Sequence, residues 1–573
     1  MKLNFAFSVG ISDFLTLRKI NNYYVDKTQF IEELLNHEPN VVSMITRPRR
    51  FGKTLMQSML DNFFNINLDS KAIFEGLSIA KNKDLCAQWM NQYPVISISL
   101  KEINSESYEP SLYKLLYELK SYLYKNYYIF DSTKVIPPIK AELNSLISTK
   151  SIGNDDFEHL LANSLFLIST ALYQHWNKQI VILIDEYDTP INYAKIYDYF
   201  PKMVSFMRNF LGQALKDNPY LKFSVVTGCL RIAKESIFTG VNNFICHSIN
   251  HNIYADKFGF LEQEVDQLLA DTRLINKKSI IKEWYDGYVF GDNTEIYCPW
   301  DVLNYVRTLL TIKDAQPESY WINSSSNDII INSFKSDDKT IIEALQNLTA
   351  GQSVASKIEQ NITYDMLKNA DLNQLLSILY FTGYLTKVPN TLSNNDVCRD
   401  VNDVLLKIPN KEIQFIFKKS LLDTFILLAK NNLENSNKLI DAFINGKPQF
   451  VTEYLTDLLI KCISCFDYHE NFYHALVSGI LISKFNNAVK TNDEKGLGRP
   501  DIFVQVSQNH FMFIEIKHAQ SEAELSTLAK KALRQIHDCQ YDAAFRFSKC
   551  TIQHWGLAFY KKMCIALVNQ SNT

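Results

Sequence analysis

The sequence predicts an α/β protein whose first half is a parallel sheet covered by helices on both faces. Two observations carry that expectation. Ile180-Val-Ile-Leu-Ile184 is a continuous apolar run rich in β-branched residues, which suits a strand buried on both sides, whereas a half-exposed strand would alternate. Second, residues 1 to about 255 alternate such runs with helix-like ones, as strands joined by crossover helices must.

The first strand candidate is Val41-Val-Ser-Met-Ile45, and Leu55-Met-Gln-Ser-Met-Leu60 reads as a helix. Between them lies Arg47-Pro-Arg-Arg-Phe-Gly-Lys-Thr54. A strand, a tight turn ending in Gly-Lys-Thr and a helix is how a P-loop holds phosphates. Backbone N–H groups and the helix N-terminus face the anion, the Lys reaches the terminal phosphates, and the Thr hydroxyl ligates Mg²⁺. Arg49, Arg50, Gly52, Lys53 and Thr54 are therefore nucleotide-binding candidates. The full pattern asks for Gly five residues before Gly52, and Arg47 stands there. A basic surface loop is the competing reading of this segment alone.

Val95-Ile-Ser-Ile-Ser-Leu100 is the second strand candidate, and the run from Ile180 ends in Asp185-Glu186. At such a tip Asp185 can hold Mg²⁺ and Glu186 can polarise the attacking water. Phe223-Ser-Val-Val-Thr227 adds a strand whose tip, Thr227, could sense the γ-phosphate. Arg231 follows as a partner for phosphate charge or, equally, as a surface helix arginine.

Five segments resemble the AAA-ATPase-like proteins, in which an N-terminal module is joined to a C-terminal nuclease-fold domain of the PD-(D/E)XK type. They are Tyr23-Tyr-Val-Asp-Lys-Thr28, the loop from Arg47 to Thr54, Ile184-Asp-Glu-Tyr-Asp-Thr-Pro190, Ser236-Ile-Phe-Thr-Gly-Val-Asn-Asn243 and Trp284-Tyr-Asp-Gly-Tyr288. The resemblance covers most of the chain. It implies that Arg47 at the first P-loop position is usual for the group.

With 573 residues, about four domains of ordinary size are expected. Hydrophobic content of 46% with 21% charged residues belongs to a soluble globular protein. The net charge of −3 provides no global field for nucleic acid, so such binding would use local patches and weaken with salt. Ten scattered Cys suggest reduced thiols in a cytoplasmic protein. Cys462 and Cys465, with His469 and His474 nearby, admit a zinc reading, though two small apolar residues on a helix explain the pair more simply. Polar residues interrupt any N-terminal signal segment. The uncharged stretch Leu160 to Trp176 reads as a buried helix, so no membrane partner is expected.

Residues 256–340 are mostly helical in pattern, and by resemblance form the lid of an AAA-like core, 1–255. Residues 341–445 read as helices followed by the strand candidates Tyr384–Val388 and Val404–Ile408, a winged-helix-like connector. The polar stretches Asn323–Asn327 and Ser393–Asp396 break these patterns, and Asn445-Gly-Lys-Pro448 marks the boundary of the last domain, 446–573.

In that domain Gly496-Leu-Gly-Arg-Pro-Asp501 leads into the strand candidate Asp501–Val506, and Phe511-Met-Phe-Ile-Glu-Ile-Lys517 returns. Alternation puts Glu515 and Lys517 on one face. A turn near Asn509 would set Asp501 opposite Lys517 on that same face. Two carboxylates and an ammonium so placed suit a metal-dependent phosphodiesterase: oxygen ligands hold Mg²⁺, the metal activates water, and Lys517 stabilises phosphate charge. A salt-bridged strand end is the bland alternative. The resemblance adds Glu470 from an upstream helix as a third ligand, implies an α/β restriction-endonuclease-like fold, and places Gln535 and Tyr541 near the site. His474 and Arg499 could position phosphate, and packing or surface roles account for them at least as well.

The sequence thus predicts an ATP- and Mg²⁺-dependent hydrolase acting on nucleic acid, DNA ahead of RNA, with oligomerisation open. The alternative is a nucleotide-gated switch whose nuclease-like domain binds without cutting.

Overall fold

Five strands form a parallel sheet in the first half of the chain. They are β1 (Val42–Thr46), β2 (Val95–Ser99), β3 (Ile180–Asp185), β4 (Leu221–Gly228) and β5 (Phe244–His247), in the order β2-β3-β4-β1-β5. The computed structural model describes residues 4–37, 42–149, 155–216, 218–230, 244–321, 338–360, 370–389, 403–431, 433–462, 470–491, 493–545 and 549–572. Arg231, the motif Ser236–Asn243, the stretches 323–327 and 393–396, Cys465 and His469 lie outside the described residues, as do the side chains of Cys462 and Glu470.

Alternate residues of β3 feed two different cores, which is why its sequence is apolar throughout. Ile180, Ile182 and Ile184 pack in a cluster with Leu167 and Phe210, while Val181 and Leu183 pack with Met59, Leu60 and Phe63. The register pairs Ser99 with Asp185 and Thr46 with Gly228. The C-terminal tips of β1 to β4 therefore line one edge of the sheet, the edge at which ligands bind in open α/β folds. β5 was not expected: it is four residues long at the sheet edge, only His247 of them is buried, and so short a strand gives little periodic signal. Helix Ser164–Trp176 covers the sheet, and no helix among the described residues is long and apolar enough to cross a membrane.

Beyond the sheet come helices Glu262–Thr272, Lys278–Tyr285 and Pro299–Thr311. The mostly helical expectation passed over a hairpin among them, β6 (Tyr288–Phe290) and β7 (Thr294–Ile296), because strands of three residues show almost no alternation. A three-stranded sheet follows, β8 (Val354–Lys357), β9 (Thr386–Lys387) and β10 (Asp403–Lys407), with β10 central. The chain divides into two compact units: Met1–Ser324 with Ala355–Glu412, and Ser325–Val354 with Ile413–Thr573.

The second unit is built on a mixed sheet of β11 (Val489–Thr491), β12 (Ile502–Ser507), β13 (His510–His518), β14 (Thr551–Tyr560) and β15 (Met563–Asn572), in that order. β13 and β14 are parallel, so the chain must cross over between them, and helix Leu525–Asp538 makes the crossing. It lies close to the strands because Gly556 leaves room: a Cβ there would sit 2.3 Å from the Ala529 carbonyl.

The register of the β12–β13 hairpin corrects the sequence expectation. Ile502 pairs with Ile514, which sets Asp501 beside Glu515 rather than opposite Lys517. The register shifts between Gln505 and Ser507, so Val506 is an extra residue in the first strand and the turn is shorter than a regular hairpin around Asn509 would need.

Candidate active sites

The loop after β1 owes its shape to three buried anchors. Arg47 is fully buried, and its guanidinium donates to the carbonyls of Thr46, His247 and Tyr254, each at 2.9 Å. It also lies 5.2 Å from the Phe258 ring and 5.5 Å from Phe290, and burial pushes its pKa down to about 10. Pro48 packs under Gly383, where a Cβ would come within 2.8 Å. Phe51 is held between Tyr288 and Phe290 of the β6–β7 hairpin. Arg49 and Arg50 between these anchors are exposed. Arg47 is thus a structural clamp, a role the sequence did not reveal because two of its three carbonyl partners, His247 and Tyr254, lie 200 and 207 residues away.

Two positive-φ residues, Arg50 (72°) and Gly52 (89°), turn the chain into helix Lys53–Phe64. The open N–H groups and positive dipole end of that helix suit an anion. Lys53 is buried, and its ammonium donates to the carbonyls of Arg47 and Pro48 at 2.9 Å and touches Cys229 Sγ at 3.5 Å. Thr54 Oγ1 donates to Asp185 Oδ2 at 2.7 Å, and Thr227 Oγ1 donates to the other oxygen, Oδ1. Gln57 ties the β3 and β4 tips together through the carbonyls of Ile184 and Val225. Glu186 adopts a left-handed φ of 53°; burial raises its pKa, Lys53 lowers it, and Asp185 and Asp188 raise it. Asp188 is buried and accepts the N–H groups of Cys229 and Leu230. Gly228 permits this packing, since a Cβ there would meet the Tyr187 ring at 2.5 Å. The structure therefore brings Gly52, Lys53, Thr54, Asp185, Glu186 and Thr227 together. A hydroxyl and a carboxylate already in contact are a donor set that fits Mg²⁺.

In the second unit Asp501, Glu515, Lys517 and Gln535 converge. Glu515 is 1% exposed. Its Oε1 accepts from Lys517 Nζ at 3.4 Å and from Gln535 Nε2, and its Oε2 accepts the Asp501 N–H at 3.3 Å. Burial first, then the Asp501 charge, push the Glu515 carboxyl up to about 7, with Lys517 acting against them. Asp501 Oδ2 accepts the Ile516 N–H at 2.7 Å, which holds that carboxylate against β13. Tyr541 OH bridges Gln535 and the Arg499 carbonyl.

His474 and Arg499 make contacts within the protein itself. His474, one turn into helix Glu470–Phe485, bonds the Asp501 carbonyl through Nε2 at 2.8 Å, and Arg499 pairs with exposed Glu494. Among the described residues no group of three His, Cys, Asp or Glu forms a metal cluster. Two carboxylates that repel each other, one with its pKa raised toward neutrality, nevertheless fit a divalent cation, which would replace the proton.

Residues 8–238 match the model of a family described as "Predicted AAA-ATPase", and residues 468–568 match that of the PD-(D/E)XK nuclease superfamily. The chain thus carries an AAA-ATPase-like domain and, toward its C-terminus, a nuclease-superfamily domain. A protein of Azotobacter chroococcum mcd 1, described as "Uncharacterized protein in vnfD 5'region", is 22% identical over 565 residues and 96% of each chain is covered. The ORC2 protein of Aeropyrum pernix, solved as ADPNP–ADP complexes, aligns over 69% of this chain and 92% of its own at 10% identity. Its TM-score of 0.23 is too low to bear on the fold.

Proposed function

We propose that the chain binds ATP with Mg²⁺ at the tips of β1, β3 and β4 and cleaves phosphodiester bonds of nucleic acid, DNA ahead of RNA, at Asp501, Glu515 and Lys517. The observation that carries this reading is the buried Glu515 carboxyl, pressed against Asp501 and served on one oxygen by both Lys517 and Gln535. Asp501 and Glu515 would hold the divalent ion, with Glu470 as a third ligand from the helix whose His474 braces Asp501. A bound Mg²⁺ supplies an acidified water and a counter-charge for phosphate. Lys517 would meet negative charge as it develops on the phosphate, and Gln535 would keep Glu515 aimed.

At the nucleotide site Lys53 would exchange the carbonyls of Arg47 and Pro48 for phosphate oxygens, while Thr54 and Asp185 would hold the metal. Glu186 would orient the attacking water, Thr227 would sense the γ-phosphate, and Arg49, Arg50 and Arg231 would balance its charge. A cavity of about 120 Å³ lined by Gly10, Tyr24, Gly52, Met56, Phe260 and Leu303 offers a largely apolar seat for the base.

Nucleic acid would dock on local charge. Residues 468–568 contain twelve Lys and Arg against nine Asp and Glu, although the whole chain is at −3. Lys530, Lys531 and Arg534 are exposed on the same helix whose Gln535 reaches Glu515.

Purified protein should cut single- or double-stranded DNA or RNA in Mg²⁺, and Asp501→Asn should reduce cleavage to background while leaving the fold and nucleotide binding intact. Wild type that cuts none of these substrates in Mg²⁺ or Mn²⁺, with or without ATP, refutes the nuclease half. One observation favours the alternative of a nucleotide-gated switch: Lys53 and Asp185 are already occupied by protein partners, which suits slow turnover. Tight ATP binding without hydrolysis or cleavage would select it.

A further inference from the structure

Helix Tyr108–Lys125 packs one face into the core beside β2, the edge strand of the parallel sheet. Leu112, Leu115, Leu116, Leu119 and Leu123 form that inner face, and Tyr122 OH donates to the Val95 carbonyl at 2.9 Å. The outer face carries tyrosines where a solvated helix face carries charge. Tyr113, Tyr117 and Tyr124 are 39%, 73% and 56% exposed, and Tyr127, just beyond the helix, is 51% exposed. These are four of the five exposed tyrosines among the described residues, Tyr197 being the fifth. Single exposed apolar residues are ordinary, whereas an aromatic stripe marks an interaction surface.

At about 100° of rotation per residue, Tyr113, Tyr117 and Tyr124 fall within about 40° of one another around the helix axis. By the same geometry only two charged residues of the helix border the stripe, Glu109 and Lys120, and both lie on the same side of it. Lys114, Glu118 and Lys125 turn about 100° or more away from Tyr113. Lys120 Nζ donates to the Thr149 carbonyl at 2.7 Å, which leaves two of its three N–H groups for another acceptor.

One acid and one base give the stripe no net charge. Single-stranded nucleic acid stacks on aromatic rings but also needs cations along its backbone, so it fits this face poorly. A second copy of the chain fits it well. In an antiparallel pair of helices related by a two-fold axis, residues on the same side of the stripe meet across the contact. The midpoint between Glu109 and Lys120 lies between Tyr113 and Tyr117. An axis there sets Glu109 of each copy toward Lys120 of the other and gathers the tyrosines at the centre, with the charges at the rim.

We propose that the chain forms a dimer by packing this helix antiparallel against the same helix of a second copy, across a two-fold axis beside Tyr117. The interface is self-complementary in shape and charge, and it is independent of the nucleotide and nuclease readings above.

Sedimentation of the full chain at about 1–100 µM, where modest interfaces dissociate, should show a shift from one to two chain masses. Tyr117→Arg and Tyr117→Glu each bring like charges together beside the axis and should each raise the dimer dissociation constant about 10-fold or more. Mixed in equal amounts, the two variants should dimerise again, because Arg then faces Glu. Tyr117 is largely exposed, so both variants should keep the wild-type circular dichroism; if either does not, Tyr113→Arg and Tyr113→Glu make the same test. A wild type that stays monomeric overturns the proposal, as does a dimer that tolerates both variants or a mixture that fails to re-form it. Monomeric wild type whose Tyr117 variants lose binding to single-stranded DNA also overturns it and makes nucleic acid the occupant of the stripe.

Discussion

Asp185 in the first unit and Glu515 in the second are both acids near the tip of a buried strand, 4% and 1% exposed, yet their surroundings are opposite. Each oxygen of Asp185 already has a hydroxyl donor, from Thr54 and from Thr227. Glu515 has donors too, but a second carboxylate, Asp501, stands beside it and its pKa rises to about 7. Burial is shared, so burial alone does not decide what such an acid does. The neighbour decides: hydroxyls quiet one site, while a like charge leaves the other short of a cation.

The largest effect that would sharpen this contrast is metal-linked stability at Glu515. A carboxyl whose folded pKa is raised from 4.5 to about 7 stabilises the fold below pH 4.5, and that contribution is lost as pH rises to about 7. Without divalent ions, urea stability of the second unit should therefore fall between pH 5 and 7.5, by up to about 3 kcal/mol. Mg²⁺ should restore most of it above pH 7, and Glu515→Gln should flatten both responses. An unchanged pH slope in Glu515→Gln would mean that the two acids differ less than their surroundings suggest.

The same contrast can be broken from the other side. Thr227→Val keeps side-chain volume but strips one donor from Asp185, leaving a buried carboxylate oxygen unpaired at a cost of about 2 kcal/mol. Thr46→Val is the control, since the Thr46 hydroxyl is buried without a partner and its removal should be close to neutral. Equal losses in the two variants would show that the Thr227 contact contributes nothing particular to Asp185.

The acids themselves were legible in the sequence because each ends or sits in a strand whose composition is distinctive. β3 is apolar on both faces and stops at Asp185, and β13 alternates into Glu515 and Lys517. Their partners were less legible. The short turn between Ser507 and His510 and the extra residue Val506 each shifted the register by one position and together moved Asp501 from Lys517 to Glu515, which no local pattern announces. β14 was missed because Gly556 interrupts it, and Gly within a run argues against a strand unless a helix must come close. The role of Arg47 was invisible because buried charge is rare, and two of its partners lie far along the chain.

The smallest predicted effect tests whether aim, rather than charge, distinguishes the Glu515 site. Gln535 carries no charge, but its amide holds Glu515 Oε1 and contacts the Tyr541 hydroxyl, so it fixes the direction in which the carboxylate faces Asp501. Gln535→Met keeps the bulk and removes the donor. Cleavage should drop by about 10–100-fold, with a parallel loss of metal affinity read by the Mg²⁺ concentration at half-activity. Gln535→Glu should be worse than Met, because it adds a third carboxylate to a site already short of cations and should push the Glu515 pKa above 7. If Met and Glu behave alike, orientation governs this site. If Glu is far worse, the excess of negative charge that separates Glu515 from Asp185 governs it.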